Sequence, residues 1–245
     1  VTSDEQQRLG VITRDANRQR KAVLALQKGL ELARDGNADE ASRRFKAAFD
    51  LAPDFIPAAV RHASALVDQG KGRRGQDVIT KTWSKNPHPD LLEPYWRASD
   101  AVDALARVKV TEKLTAASKD HPESHMAMAR ASLDAQLWGE ARDHLAAITS
   151  DANEARVCRL WADLEEAEHG DSAKARDWLS QAASAEADPA WVCGSCGNAV
   201  GEWSALCGNC GGFDTFGWRR PPHVDRLTSG NKAIPAENRA LTVTG

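Results

Sequence analysis

The chain has 245 residues and a formal net charge of -3, with 42% hydrophobic and 27% charged residues. This length allows one or two domains, and the apolar fraction is sufficient for a buried core. The near-neutral charge excludes a general attraction to nucleic acid or anionic lipid, and no apolar run approaches the ~20 residues that a membrane-spanning helix needs.

Residues 1–19 form a predicted polar N-terminal extension, and a repeat begins after them. Helical repeats are recognised by a fixed spacing of small and large apolar side chains. In the first unit this spacing is formed by Gly29, Leu32, Gly36, Ala41, Phe45, Ala48 and Pro53. The closing Pro53 recurs at Pro87, and Ala141 recurs at Ala175, in both cases after 34 residues. This interval is typical of tetratricopeptide repeats, which are hairpins of two antiparallel helices.

Small residues recur in this repeat because two helices approach closely only where their side chains are small. One hairpin cannot bury its own apolar face, so several hairpins must stack. We predict four or five hairpins in residues 20–188, including two less regular helices at about 91–105 and 108–119. The predicted fold class is therefore all-α, a tetratricopeptide-like α-solenoid, followed by the small ribbon described below.

The first helices of stacked hairpins line a concave face, and such faces bind a peptide or a helix of another protein. We predict that the partner-binding residues on this face are mostly apolar. They are Leu26, Leu30, Val60, Ser64, Arg130 and Leu133. This composition favours an apolar or amphipathic helix over a charged peptide tail as the bound segment.

Residues 189–220 form a second predicted unit around four cysteines. Cys193 and Cys196, and likewise Cys207 and Cys210, have C-x-x-C-G spacing, which lets two thiolates bind one metal ion. The glycine after each pair allows the backbone to turn so that its amide hydrogens point at sulfur. Two such pairs complete a tetrahedral site, and the short β-capable runs around them predict a rubredoxin-like zinc ribbon.

We predict that these four thiolates bind one structural zinc ion. A single iron ion is the alternative, because sulfur-only coordination suits both metals, whereas two tight pairs disfavour an iron–sulfur cluster. A unit this small cannot fold on apolar burial alone, and metal binding contributes on the order of 10 kcal/mol. The substitution Cys207→Ser is therefore predicted to unfold residues 190–220 and to leave the helices largely intact.

The predicted ribbon is rich in aromatic residues, which are Trp191, Trp203, Phe213, Phe216 and Trp218. We interpret them as a cover for the metal that docks the ribbon on the last helical hairpin, rather than as a stacking surface for nucleic-acid bases. After Trp218 the chain is basic and then loses apolar periodicity, so we predict a disordered tail over residues 221–245.

The sequence contains no nucleophile elbow, zinc-protease motif or phosphate-binding loop, and we predict that the protein is not an enzyme. His125 lies beside Met126 and Met128, and we interpret the three as one exposed histidine and two core methionines. Cys158 is predicted to be a small buried residue. The remaining histidines are predicted on the surface: His62, His88, His121, His144, His169 and His223.

Several stretches within residues 20–222 resemble the C-terminal part of the HemY family in its alphaproteobacterial form. They are HPES at 121–124, LWGEAR at 137–142, RVCRLWADLEEAE at 156–168, DPAWVC at 188–193 and FDTFGWRRPP at 213–222. The combination of repeats and ribbon is also similar to LapB, a membrane-anchored regulator of lipopolysaccharide synthesis. HemY proteins are tetratricopeptide proteins linked to haem biosynthesis. The resemblance implies that this chain is the soluble part of a membrane-anchored protein at the cytoplasmic face of the bacterial inner membrane. The anchor of such proteins is N-terminal and is absent from this chain.

Three functions remain open from the sequence. The first is a non-catalytic scaffold that binds a protein partner, and the resemblance extends the candidates to enzymes of haem biosynthesis or envelope assembly. The second is a binding or carrier protein for a tetrapyrrole such as haem. The third is an electron-transfer module with iron in the four-thiolate site. The charge balance predicts no nucleic-acid partner.

Overall fold

The structure is a computed structural model that describes residues 3–8, 12–148, 154–170 and 172–221. Its helices are α1 Ser3–Arg8, α2 Arg14–Arg34, α3 Ala38–Leu51, α4 Ile56–Asp68, α5 Gly72–Trp83, α6 Leu92–Ala98, α7 Ala104–Thr115, α8 Pro122–Asp134, α9 Trp138–Ala146, α10 Ala155–His169 and α11 Ser172–Ser184. Short 3₁₀ turns occupy Pro89–Leu91 and Ala116–Ser118, and the strands are β1 Ala190–Cys193, β2 Ala199–Val200 and β3 Phe216–Arg219. The predicted disordered tail lies outside the described residues from position 222 onward.

Helices α2 to α11 form consecutive antiparallel hairpins, in which α2 pairs with α3, α4 with α5, α6 with α7, α8 with α9, and α10 with α11. The second helix of each of the first four hairpins also contacts the first helix of the next one. The fold is therefore the predicted all-α array of tetratricopeptide-like hairpins. Among the described helices, none is both long enough and apolar enough to cross a bilayer.

Small residues stand where the helices of a hairpin come together, as the repeat pattern predicts. A Cβ atom on Gly29 of α2 would lie 2.6 Å from the ring of Phe45 on α3, which is far inside van der Waals contact. In the next hairpin, a Cβ atom on Gly75 would lie 3.3 Å from the carbonyl oxygen of Ala63. Glycine at these positions lets α3 and α5 pack directly on the helix before them.

The third hairpin differs from the prediction of helices at about 91–105 and 108–119. Its first helix, α6, ends already at Ala98, and Asp100 follows with a φ of 53° that no regular helix can contain. Asp103 then caps α7, because its carboxylate accepts a hydrogen bond from the amide of Ala106 at 2.7 Å. The predicted limits therefore extend the first helix past the observed break at Asp100 and start the second helix too late.

The predicted polar extension also contains regular structure. Helix α1 packs beside α2, and buried Asn17 of α2 donates a hydrogen bond to Asp4 of α1 at 2.9 Å. Helix α2 itself begins at Arg14, where Thr13 accepts a hydrogen bond from the amide of Ala16. The limits of the four predicted domains stay a prediction.

The apolar core consists of three clusters along the array. The first lies in the first hairpin around Leu26 and Phe45, and another lies in the last two hairpins around Leu145 and Leu164. The cluster between them contains Trp83 and continues without interruption into the four-cysteine unit. Because they share this cluster, the helical array and the ribbon form one packed body rather than two separate cores.

Candidate metal centre

The four-cysteine unit is a three-stranded antiparallel sheet with the strand order β2-β1-β3. Trp191 of β1 lies opposite Val200 of β2 and Trp218 of β3, and Cys193 lies opposite Phe216. This register places Cys193 at the end of the central strand. The first cysteine pair therefore begins where the strand leaves the sheet.

The two cysteine pairs have the same local structure. In the first, the amide of Gly197 donates to the carbonyl of Cys193 at 2.9 Å, and in the second the amide of Gly211 donates to the carbonyl of Cys207 at 2.8 Å. Both glycines have positive φ, 74° and 71°, which a side chain would disfavour. The glycine that follows each pair therefore allows the predicted turn, while its own amide is bonded to a carbonyl oxygen rather than to sulfur.

The four sulfur atoms lie together and are placed as a tetrahedral metal site requires. The sulfur of Cys193 is 3.8 Å from that of Cys210, and the sulfur of Cys196 is 3.6 Å from that of Cys207. All four lie within 4.8 Å of one another. Four bonds of about 2.3 Å at tetrahedral angles separate sulfur atoms by about 3.8 Å. The donor set therefore fits one ion of zinc or iron, as the spacing predicts.

Hydrogen bonds to sulfur favour the thiolate form of the first cysteine in each pair. The hydroxyl of Thr215 lies 3.2 Å from the sulfur of Cys193 and, with nearby backbone amides, lowers the pKa of Cys193 to about 6. The pKa of Cys207 is also lowered, chiefly by the backbone amide of Cys210. Metal binding requires thiolates, so these donors prepare the site for a cation.

The last cysteine shows why a cation is needed. The amide of Gly212 favours its thiolate, but the sulfur of Cys196, burial and the other sulfurs outweigh this and raise the pKa of Cys210 to about 12. Four neighbouring negative charges repel one another, so the fourth thiol keeps its proton unless a positive ion balances the charge. A divalent metal ion supplies that balance.

Aromatic side chains attach the ribbon to the helices. Trp203 meets Phe55, which precedes α4, edge to face at 5.1 Å between ring centroids. Trp191 and Trp218 both pack on His88, at 5.5 and 4.3 Å between centroids. These contacts involve the segments before α4 and α6, and the carboxylate of Asp214 in the ribbon accepts a hydrogen bond from the side chain of Gln19 on α2. The ribbon therefore lies on the first helices of the first three hairpins.

This position corrects the prediction that the aromatic residues dock the ribbon on the last hairpin. After α11 the chain turns back beside the start of α10, where the carboxylate of Asp188 accepts a hydrogen bond from the amide of Arg156 at 2.8 Å. Among the described residues, the base of the ribbon stays near the last hairpin through the ion pairs of Arg220 with Glu154 and Glu186. The strands themselves extend across the array to the earlier hairpins.

Three of the six predicted partner-binding residues lie beside the ribbon, and the other three do not. Leu26, Leu30 and Val60 line a cleft of about 320 Å³ together with Trp191 and Trp203 of the ribbon. Leu26 is fully buried, so its side chain already belongs to an internal contact. This cleft is therefore a junction within the molecule.

The other predicted positions lie further along the array. Arg130 and Leu133, on α8, line a larger cleft of about 640 Å³ between α8 and α10. Ser64 is half-buried and lines neither of the two clefts. The assignment of all six residues to a partner stays a prediction.

No protein-family model matches this chain, and the resemblance to the HemY family is therefore not confirmed. The chain is 36% identical over 170 residues to the probable magnetosome protein Mms48 of Magnetospirillum gryphiswaldense. The matched region is 68% of this chain, and it spans 37% of the length of that relative. The similarity thus concerns well under half of the Mms48 protein.

Solved structures of low sequence identity were also found. A MamA structure from Desulfovibrio magneticus is 16% identical with a TM-score of 0.40, and covers 67% of this chain and 94% of its own. YrrB, described as a TPR protein with an unusual peptide-binding site, is 12% identical with a TM-score of 0.39. The match covers 75% of this chain and 92% of YrrB. Pseudomonas aeruginosa PilF is 15% identical with a TM-score of 0.41, and the match covers 68% of this chain and 77% of PilF.

Sequence reasoning missed one residue of this junction. His88 is predicted on the surface, but its side chain is 1% exposed and packs against Trp191 and Trp218 of the ribbon. His62, also predicted on the surface, is buried beside Phe49. A single histidine carries no periodic signal, and His88 is buried by a segment more than a hundred residues later in the chain, so no local pattern could have shown it.

Proposed function

We propose that this protein is a non-catalytic scaffold that binds a segment of another protein in the cleft between α8 and α10. The observation that carries this proposal is that the ribbon leaves this cleft open while it fills the equivalent face of the earlier hairpins. The volume of about 640 Å³ lies in the range of ligand-binding sites in proteins. Clefts between first helices are the usual peptide-binding surface of helical repeats.

The lining of the cleft suits an amphipathic helix. Met126, Leu133 and Leu160 supply an apolar floor, and methionine adapts to partners of different shape. Arg130 is exposed at the edge and has no ion-pair partner among the described residues, which leaves its charge for a carboxylate of the bound segment. The apolar face would bury in the floor, and the acidic side would meet Arg130.

We further propose that the four cysteines hold zinc and that its role is structural. The support is the closed set of four sulfur donors, which leaves no position for a substrate. Zinc bound there would hold the two cysteine turns together, and the aromatic residues of the ribbon would then keep their places on the helices. Metal analysis of protein that is purified without added metal distinguishes zinc from iron.

We also propose a setting at the cytoplasmic face of a bacterial inner membrane, with an anchor outside this chain. The resemblance to HemY supports this setting and a partner from haem biosynthesis. The similarity to the probable magnetosome protein Mms48 supports a partner at the magnetosome instead. The identity of the captured partner decides between the two.

A photo-crosslinking experiment tests the proposed cleft. Benzoylphenylalanine at position Leu133, inside the cleft, is expected to capture one protein from the membrane fraction of the native organism. The same group at Arg176, which is exposed on α11, is the matched control and should not capture it. In the Leu133 background, Arg130→Glu should weaken capture about tenfold, because it places like charges together. Equal capture from both positions, or no effect of the charge reversal, would contradict the proposal.

A further inference from the structure

Two histidines face each other on the fourth hairpin, away from the cysteine site. His125 lies in the first turn of α8 and His144 in the last turn of α9, so the antiparallel pairing brings them side by side. Their Nδ1 atoms are 3.1 Å apart, and the ring centroids are 5.3 Å apart. Both side chains are half-buried, so the pair is open to solvent on one side.

The spacing of the two rings is fixed by the helices that carry them. About one helical turn from the pair, Ala129 of α8 and Ala141 of α9 are both fully buried in one cluster with Met126 and Leu145. The methionine is buried as the sequence predicts. Because the helix backbones are held at close distance here, the two imidazoles meet without long flexible side chains. Preorganised ligands lose little conformational entropy when they bind an ion.

The two Nδ1 atoms lie at hydrogen-bond distance, so in the absence of a metal ion one ring with its proton on Nδ1 donates to the bare Nδ1 of the other. A metal ion that replaces this shared proton would meet a nitrogen lone pair from each ring. Burial, followed by the proximity of His125, lowers the pKa of His144, and this favours the neutral ring that binds metals. The carboxylates of Glu140 and Asp143, on the same helix as His144, add negative potential near the pair.

We propose that His125 and His144 chelate one divalent transition-metal ion through their Nδ1 atoms, separately from the four-cysteine site. With metal–nitrogen bonds of about 2.0–2.1 Å, the observed separation gives an angle at the metal of about 98°. This angle lies between the octahedral and tetrahedral values, so water molecules complete the coordination in either geometry. Imidazole pairs suit zinc, nickel and copper rather than magnesium or calcium.

The test uses the full chain with one equivalent of zinc already bound, so that the cysteine site is filled. Calorimetric titration with zinc chloride is expected to show one further equivalent. The variants His125→Gln and His144→Gln should each weaken this second binding by at least about tenfold, because a single imidazole loses the chelate effect. His169→Gln changes an exposed histidine at the end of α10 and should bind as tightly as the unmodified protein.

A second measurement on the unmodified protein does not depend on the variants folding. Long-range proton–nitrogen NMR spectra should show that the Nδ1 resonances of His125 and His144 shift on addition of the second equivalent, while those of His169 stay in place. The proposal is overturned if no further zinc binds, or if the second binding keeps its affinity in His144→Gln. It is equally overturned if the shifted resonances belong to other histidines.

Discussion

The imidazole of His88 is enclosed by two ribbon tryptophans, Trp191 and Trp218. Its Nδ1 atom accepts a hydrogen bond from the amide of Asp90 at 3.1 Å, whereas Nε2 has no hydrogen-bond partner among the described residues. Burial, with a smaller contribution from the charge of Arg156, lowers the pKa of His88 to about 4. The contact between ribbon and helices therefore requires a neutral ring.

This requirement predicts a loss of stability in mild acid. The unfolded chain binds a proton at His88 near pH 6.5, but the folded protein does so only near pH 4, so stability decreases as the pH falls through this window. Between pH 7 and pH 5 this one residue should cost about 2 kcal/mol in the free energy of unfolding. His88→Asn keeps an acceptor for the amide of Asp90 and cannot titrate. Urea unfolding at both pH values should show a smaller loss in this variant, and an equal loss would refute the assignment.

The residues of the site differ in how far sequence could predict them. The four cysteines were identified because metal binding needs a particular spacing within a few residues, and that spacing is local. The two histidines of the fourth hairpin lie 19 residues apart, and only the antiparallel pairing of α8 with α9 brings them together. Local chemistry is visible in a sequence, whereas chemistry assembled by packing is not.

The turn inside each hairpin has a common backbone feature. The first helix of every hairpin from α2 to α10 is followed by a residue with positive φ, which are Gly36, Gly70, Asp100, Gln136 and Gly170. Glycine adopts this conformation without strain, but aspartate and glutamine place a Cβ atom against the backbone. The series identifies the same structural position in each repeat, including those in which the sequence pattern is weak.

At this position of the turn, introducing a glycine and removing one should have opposite effects on the free energy of unfolding. Gln136→Gly should raise the free energy of unfolding by about 1 kcal/mol because it relieves the strained backbone at the end of α8. Gly170→Ala, at the equivalent turn after α10, should lower it by about the same amount. Neither change alters buried packing, since Gln136 is exposed and a Cβ atom at Gly170 would meet nothing within 4 Å. Chemical denaturation compares the two, and changes of the same sign would contradict the argument.

The turns also explain where the repeat pattern failed. Gly36 and Gly70 are 34 residues apart, and so are Gln136 and Gly170, which agrees with the predicted period. Asp100 follows Gly70 after 30 residues, because α6 is only 7 residues long. A helix of 7 residues instead of the 13 in α4 still presents an apolar face, so the hairpin stacks while the sequence loses register.

At the scale of the whole molecule, the ribbon and the array depend on each other. Cys193, Cys207 and Trp191 belong to the same apolar cluster as Trp83 and Leu91 of the helices. The sequence predicts the four-cysteine segment as a separate small unit, because short metal ribbons often fold alone when metal is bound. The docking surface could not be predicted, since it combines residues from the first three hairpins with a segment near the end of the chain.

Removal of the metal should therefore destabilise the helices, which differs from the sequence-based prediction that they stay largely intact. Without metal the cysteine turns separate, the ribbon unfolds, and buried side chains such as Leu26 become exposed to water. The helical signal in circular dichroism should then melt roughly 5–10 °C lower in the presence of a chelator, and added zinc should restore it. Cys207→Ser, which cannot complete the site, should melt at the lower temperature with or without chelator. A melting temperature that is the same with and without metal would show that the ribbon only rests on the array.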